Sequence, residues 1–465
     1  MFETRDAKTI FEPFRIKMVE RLPLISDEER QSEIKKAYYN LFLLPADKVT
    51  FDFLTDSGTS AMSAEQWAAM MRGDESYAGS QSYFRFQDAV QDLTGLKYVV
   101  PTHQGRSAEA LLAKAMIKEG MVVPGNTHFD TTRANIEASQ AQAVDLPCIQ
   151  NKNSSEDFPF KGNVDLEALA RLLETQSRQI PFMIMTVTNN SVGGQPVSLE
   201  NIEKTSALLK KYQIPFFIDA ARFAENSYFI KLREPNYRDW KVKNIAQKIF
   251  SYADGVLMSA KKDAFGNIGG FLALKDQGLA EKVRALMVIT EGFPTYGGLA
   301  GRDLEALAVG LQEVVDEEYL TYRIRSTEYF GRGVEAAGFK VIHPFGGHAV
   351  YIDAGETLPH IPALHYPGQS LSVALYEAIG LRSVEVGSVM LGRRDEKTGE
   401  EHPAPKELVR MALPRRVYTQ SHIDYIIECM QGVAKASAQL TGFRITKQDR
   451  FLRHFTAEFQ KLDPS

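Results

Sequence analysis

Through the middle of the chain, short apolar runs that end on turn residues alternate with stretches whose apolar positions recur every three or four residues. That alternation predicts a mostly parallel sheet covered by helices. Strands are predicted at Lys97–Pro101, Met121–Pro124, Phe182–Thr188, Pro215–Asp219, Gly255–Ser259 and Gly270–Leu274. Between them the helical period predicts helices over Ala108–Ile117, Leu166–Glu174 and Leu199–Lys211. From Arg302 to Ala337 a helical texture runs on without proline, and one long helix is expected. Beyond it the pattern changes to strand, Gly346-Gly347, strand, helix and the run Arg410–Leu413, which marks a second domain. Charge at Lys397–Glu401 with Pro403 and Pro405 predicts an exposed loop over Arg393–Lys406.

Composition narrows the class. The 465 residues, 44% hydrophobic, suffice for a large core, and at roughly 150 residues per domain they form two to three domains or one large α/β unit with a companion. A formal net charge of -5 gives no basic field for a polyphosphate, so nucleic acid is not an expected partner. Two cysteines, Cys148 and Cys429, cannot build a disulfide framework or metal cluster, which fits a reducing cytoplasm. No apolar run reaches roughly 18 residues, and Met1–Asp6 lacks the basic-then-apolar order of a signal peptide. A soluble, unexported protein with no membrane partner is expected.

The candidate chemistry lies where predicted strands end. Asp254–Asp263 reads as a buried strand that delivers Lys261 and Lys262 at its end, either as a surface cap or as an amine tuned for Schiff-base chemistry. Upstream, Ile214–Asp219 ends in a carboxylate with Arg222 one turn on; Lys262 follows Asp219 by 43 positions. A strand-end lysine paired with a strand-end aspartate points to pyridoxal phosphate, whose aldehyde the lysine holds and whose ring nitrogen the aspartate keeps protonated. A phosphate would need a third group. Thr102-His-Gln-Gly-Arg106 lies between a strand and a helix, where free backbone N–H groups and the helix dipole favour an anion. Arg106 at that positive end runs against the usual charge preference unless an anion binds there. Thr186–Pro196, with tandem amides and a glycine turn, could aim an amide at a cofactor oxygen. The histidines show no metal spacing, and Ser57 and Ser191 lack the turn of a serine hydrolase.

With Gln104-Gly105-Arg106, Asn190, Asp219, Arg222 and Lys262 in this order, the chain resembles the aspartate-aminotransferase-like (fold-type I) pyridoxal phosphate enzymes, specifically the β-eliminating lyases. The resemblance runs from Glu12–Ile16 through Leu54–Thr59, Met71–Tyr77, Pro101–Arg106, Gly193–Ser198, Met258–Asp263, Glu291–Gly298 and Pro414–Thr419 to Leu452–Ala457. It implies an α/β fold: a large cofactor domain with a mostly parallel sheet over 57–310, and a smaller α+β domain formed by both chain ends, 1–56 and 311–465. It selects Lys262 to hold the cofactor, with Lys261 beside it, a choice the spacing leaves open. It assigns Gln104, Gly105, Arg106 and Ser259 to the phosphate, Phe129 to stacking on the ring, Asp219 to the ring nitrogen, and Asn190 and Arg222 to the ring hydroxyl. Arg410, assisted by Thr55, Ser57 and Asn190, would take the substrate carboxylate. Tyr77 would reach in from a neighbouring subunit of a homotetramer, and Gly58, Glu75 and Asn267 match the family's site for K+ or NH4+.

Within that family, tyrosine-cleaving members carry an arginine where Val386 stands, a threonine where Asp130 stands and a phenylalanine where His454 stands. All three positions, and Val384, match the tryptophan-cleaving branch; the length of Ile117–Gly125 and the string Leu299–Asp303 are closer to the tyrosine branch. The reaction implied is cleavage of L-tryptophan with water to indole, pyruvate and ammonia. Tyr77, Asp130 and His454 are the candidate acids that protonate the leaving ring, and Val384 and Val386 the apolar wall beside it. The alternatives are the tyrosine reaction, with phenol as leaving group, and a non-catalytic protein on the same fold.

Overall fold

Phe216–Asp219 and Gly255–Ser259 are strands with nearly every residue out of water, the condition of strands covered on both faces. Numbering the central strands in chain order gives β1 (Tyr98–Thr102), β2 (Val122–Gly125), β3 (Gln142–Asp145), β4 (Met183–Thr186), β5 (Phe216–Asp219), β6 (Gly255–Ser259) and β7 (Gly270–Leu274). They form one seven-stranded sheet in the order β1-β7-β6-β5-β4-β2-β3. The sheet is mostly parallel, and β7 alone runs against both its neighbours. Residues 10–394, 398–449 and 452–463 are described in this computed structural model. Met1–Asp6 and positions 395–397 of the expected loop lie outside them.

The chain divides into two compact units, Asp56–Glu317 and Met1–Thr55 with Glu318–Ser465. In the Asp56–Glu317 unit several helices start on capping residues: Asp165 accepts from the Ala168 N–H at 2.9 Å, and Ser198 from the Asn201 N–H at 3.1 Å. These caps begin Leu166–Gln176 and Leu199–Lys211, the latter with Lys210 and Lys211 in its last turn, where cations suit the helix dipole. The core of this unit gathers Leu111, Leu112, Val123, Ile184, Phe217, Leu257 and Leu272, with Phe182 and Phe217 packed edge to face at 5.3 Å.

The other unit centres on a three-stranded antiparallel sheet, β9-β10-β8, of β8 (Ala349–Asp353), β9 (Val384–Val386) and β10 (Leu408–Ala412). Val350, Ile352, Val409 and Met411 pack into its largest core cluster with Leu371 and Leu375 of the Pro367–Ile379 helix.

Three expectations need correction. The helix expected over 302–337 is two, Gly301–Glu313 and Glu317–Ala336. The chain breaks at 314–316 with no proline or glycine to mark it, and the apolar period simply resumes. The first of the two strands expected around Gly346-Gly347 reduces to one bridge, Val341 to Ile352. The Arg393–Lys406 segment is not wholly an exposed loop: Arg393–Arg394 pairs with Glu401–His402, and the buried Ala404 donates its N–H to the Ser388 hydroxyl at 2.9 Å. The edge strand β3 has half-exposed, polar ends, which gave no strand pattern.

Candidate active site

Strands β4, β5 and β6 end side by side, with Thr186 opposite Asp219 and Asp219 opposite Leu257. The open cleft of about 590 Å³ at these ends is lined by Thr186, Asn190, Asp219, Arg222, Ser259, Lys261 and Lys262, all carried by β4 to β6 or the turns after them. Gln104, Gly105, Arg106 and Phe129 line it from the turns after β1 and β2. Ligands of open α/β sheets bind at carboxyl ends of strands for this reason: the turns there are free to present side chains and helix N-termini.

Lys262 is half-buried and reaches the Ser57 hydroxyl at 3.3 Å. Burial, and next the Arg222 guanidinium, bring its ammonium down to about 8, while Asp56 and Asp219 oppose that shift. Its neighbour Asp263 accepts the Ala224 N–H at 2.8 Å, which ties the lysine turn to the start of the Phe223–Arg233 helix. Lys261 is lowered by partial burial and by Arg106. Asp219 is raised by burial, against which the Ala221 N–H at 3.1 Å, Lys262 and Arg222 pull.

Arg222 is gripped by Asp56 through two hydrogen bonds of 2.9 and 2.7 Å, in a pair with side chains only 6% and 1% exposed. Glu109 also lines the cleft, accepts the Thr131 hydroxyl at 2.7 Å and is pushed up to about 7 by burial and then by Asp219. Sequence reading missed both acids. Asp56 sits inside the string Leu54–Thr59 with nothing to distinguish it, and Glu109 occupies an ordinary helix position.

The helix Gly105–Met116 starts without a side-chain cap, so its first N–H groups face the cleft beside Arg106, Ser259 and Lys261. Gly105 makes this approach possible. A Cβ there would stand 2.6 Å from the Ser259 Cβ. An anion end, a buried carboxylate, an aromatic ring and an amine of lowered pKa in one cleft fit pyridoxal phosphate: phosphate, ring nitrogen, ring face and aldehyde each have a matching group.

The remaining expected residues fall elsewhere. Gly58 and Asn267 meet, the Asn267 amide donating to the Gly58 carbonyl at 3.0 Å. The Glu75 carboxylate accepts the N–H groups of Gly301 and Arg302 at 2.7 and 3.1 Å and so caps a helix. Tyr77 is 70% exposed, stacked with Phe293 and Tyr296, and is not among the cleft-lining residues. Asp130 opens the Asp130–Ala138 helix and accepts the Thr131 N–H at 2.6 Å. In the other unit, Thr55 ends the first segment, Arg410 donates to the Leu54 carbonyl at 3.2 Å and pairs in register with Val384, and Val384 and Val386 are buried. His454 is buried on a short turn, its ring 5.6 Å from Phe42.

Residues 52–429 match the family profile described as beta-eliminating lyase. The chain is 57% identical to a tryptophanase of Salinibacter ruber, covering 98% of this chain and 96% of that protein, and 54% identical to one of Hyphomonas neptunium, covering 98% and 100%. It is 47% identical to a tyrosine phenol-lyase of Pasteurella multocida, covering 97% and 98%. Among solved structures, serine palmitoyltransferase of Sphingomonas wittichii superposes with a TM-score of 0.60 at 12% identity, covering 89% of this chain and 97% of that one, a likeness of fold.

Proposed function

We propose that this chain, which belongs to the β-eliminating lyase family, is a pyridoxal phosphate-dependent carbon–carbon lyase that splits L-tryptophan with water into indole, pyruvate and ammonia. The observation that carries this reading is the Lys262 amine, with its pKa at about 8, in one cleft with Asp219 and the Gly105–Met116 helix start. The 57% and 54% identity to the tryptophanases of Salinibacter ruber and Hyphomonas neptunium, against 47% to the tyrosine phenol-lyase, supports tryptophan over tyrosine.

When bound, pyridoxal phosphate supplies an electron sink for negative charge at the substrate's α-carbon. Gln104, Gly105, Arg106 and Ser259 hold its phosphate, and Phe129 covers its ring. Asp219 holds a proton at the ring nitrogen, and Asn190 and Arg222 meet the ring hydroxyl, with Asp56 fixing the guanidinium. Lys262 would hold the aldehyde carbon, and its Nζ as a free amine would take the proton from the substrate's α-carbon. A pKa of about 8 leaves a far larger share of that nitrogen unprotonated at neutral pH than an ordinary lysine has.

Arg410, with Thr55, Ser57 and Asn190, takes the substrate carboxylate. Val384 and Val386 give the indole an apolar face, and Tyr77, Asp130 and His454 are the candidates that place a proton on indole C3. Gly58, Glu75 and Asn267 bind K+ or NH4+, and the working form is a cytoplasmic homotetramer whose sites include the neighbour's Tyr77.

Purified protein assayed in parallel with tryptophan and tyrosine tests the reading. Indole and pyruvate should appear together from tryptophan. Faster phenol release from tyrosine would move the enzyme to the other branch, and pyruvate from neither would remove the activity. Equal rates in potassium and sodium after ammonium removal would overturn the cation assignment.

A further inference from the structure

The unit that holds Val384 and Val386 also buries two carboxylates against each other. On β9, Val384 and Val386 join Leu408, Tyr351 and Ala412 in one apolar cluster. The side chain between them, Glu385, turns to the opposite face, as strand alternation requires, and is 4% exposed. It accepts the N–H groups of Val389 at 2.9 Å and Met390 at 3.0 Å. Glu407, just before β10, accepts the Ser388 N–H at 3.2 Å and also the Ser388 hydroxyl. A Cβ on Gly387 would stand 2.6 Å from a Glu407 oxygen and 2.7 Å from a Glu385 oxygen, so both carboxylates converge on one point above that glycine.

Among the described residues, those that bear on them bring little uncommitted positive charge. Tyr366 bears on Glu385, and Asp353 adds a further negative charge beside Glu407. The guanidinium of Arg453 is engaged with Glu401 at 3.1 Å and with the carbonyls of Ser388 and Val389 at 2.5 and 2.8 Å. Two ionised carboxylates this close and this dry repel strongly, and one retained proton removes the repulsion. Burial, and then the Glu407 charge, push Glu385 up to about 8; burial also raises Glu407. The turn they hold connects at one end to the Val384–Val386 strand and, through Arg453, to His454.

We propose that Glu385 and Glu407 share one proton at neutral pH and act as positioning residues, their singly charged pair holding the 387–390 turn and with it the Val384–Val386 wall and His454 for the aromatic leaving group. This rests on the assignment of Val384, Val386 and His454 to the substrate ring made above.

The test compares holoenzyme of the wild type, Glu385→Gln and Glu407→Gln with tryptophan and with S-methylcysteine across the pH range around 8. In the wild type, KM for tryptophan should rise roughly tenfold, about 1.4 kcal/mol, as the pair loses its proton, while KM for S-methylcysteine, which has no ring, changes little. Glu385→Gln supplies a neutral amide that cannot ionise, so the rise should vanish. An equal rise for both substrates, or a rise that survives in both glutamine variants, would overturn the positioning role.

Two readouts stand apart from activity. The raised pKa of Glu385 gives stability that is full below the ordinary carboxylate range and is lost as pH climbs to about 8, so the melting-temperature difference between wild type and Glu385→Gln should change with pH there. A constant difference would overturn proton sharing. In the wild type alone, hydrogen exchange at the Val389 and Met390 amides should lose protection above that pH relative to β10 amides, and steady protection would count against the pair even if neither variant folds. Should the enzyme release phenol and not indole, the ring assignment falls, while melting and exchange still judge the pair.

Discussion

The two buried clusters of titratable groups handle charge in opposite ways. Around Lys262, two cations and two carboxylates interleave: Lys262, Arg222, Asp56 and Asp219, with Arg222 and Asp56 locked by two hydrogen bonds. Around Gly387, two carboxylates converge, and the Arg453 guanidinium nearby is engaged with Glu401 and with backbone carbonyls. In the first cluster opposite charges stabilise one another, and what remains adjustable is the lysine, the group the chemistry needs as a free amine. In the second, the adjustable quantity is a proton. The difference lies in what each cluster touches: of the counter-charged groups Lys262, Arg222 and Asp219 line the open cleft, whereas the like-charged pair accepts backbone N–H groups of its own turn.

Substitutions that remove one charge at a time probe this difference. Lys262→Ala should have the largest effect, an activity loss of at least about 10³-fold, the scale of losing a positioned base, with loss of the borohydride-reducible link to the cofactor. Peptide mapping that finds the link on Lys261 would reassign it. Asp56→Asn should cost about 3–5 kcal/mol in denaturant unfolding, because it leaves the Arg222 guanidinium buried without its counter-charge. A loss within experimental scatter would show the pair to be dispensable.

Val386→Arg, at a site 4% exposed, should cut tryptophan cleavage by roughly 10–100-fold through an unpaired buried charge, without creating phenol release, since Asp130 and His454 stay of the other type. His454→Phe should slow tryptophan by more than it slows S-methylcysteine, whose leaving group needs no proton on carbon; equal slowing makes His454 a packing residue. The smallest effect is a titration. In cofactor-free protein, labelling of Lys262 by an amine reagent should rise with pH about a midpoint near 8, and Arg222→Ala should move that midpoint upward, because after burial Arg222 does most to lower it, ahead of Lys261.

The part of this design that lies along the chain was readable in the sequence. Gly255–Ser259, Gly270–Leu274 and Leu199–Lys211 stand where the apolar pattern placed them, because strands covered on both faces and amphipathic helices leave strong periodic signals. The break at 314–316 left no such mark, since the helix closes on the Val314 N–H bonded to the Gly310 carbonyl with no proline or glycine among 314–316. Residues delivered in order by strand ends, Asp219 and the Lys261-Lys262 pair above all, could be picked out by type and position, while the choice between the two lysines came from the family resemblance alone. Asp56 and Glu109 could not: each matters through a partner far away in sequence, Arg222 for one and Asp219 for the other, and a pairing across 166 positions has no periodicity. Glu385 was hidden for a further reason, its place between two valines in a strand that reads as plain apolar wall.

The side-by-side ending of β4, β5 and β6 also works as a ruler. Neighbouring strands lie about 4.8 Å apart, so the register that sets Thr186 beside Asp219 and Asp219 beside Leu257 fixes how far Asp219 stands from the lysine turn. Because side chains alternate faces, a single residue inserted within Gly255–Ser259 ahead of Leu257 would turn Leu257 to the opposite face of the sheet and move Ser259 and Lys262 by one pleat. Adding one residue to the exposed turn at 155–157 shifts nothing in this row. Length is therefore constrained where the strands end and free in such loops, and insertions tolerated there need carry no cost to catalysis.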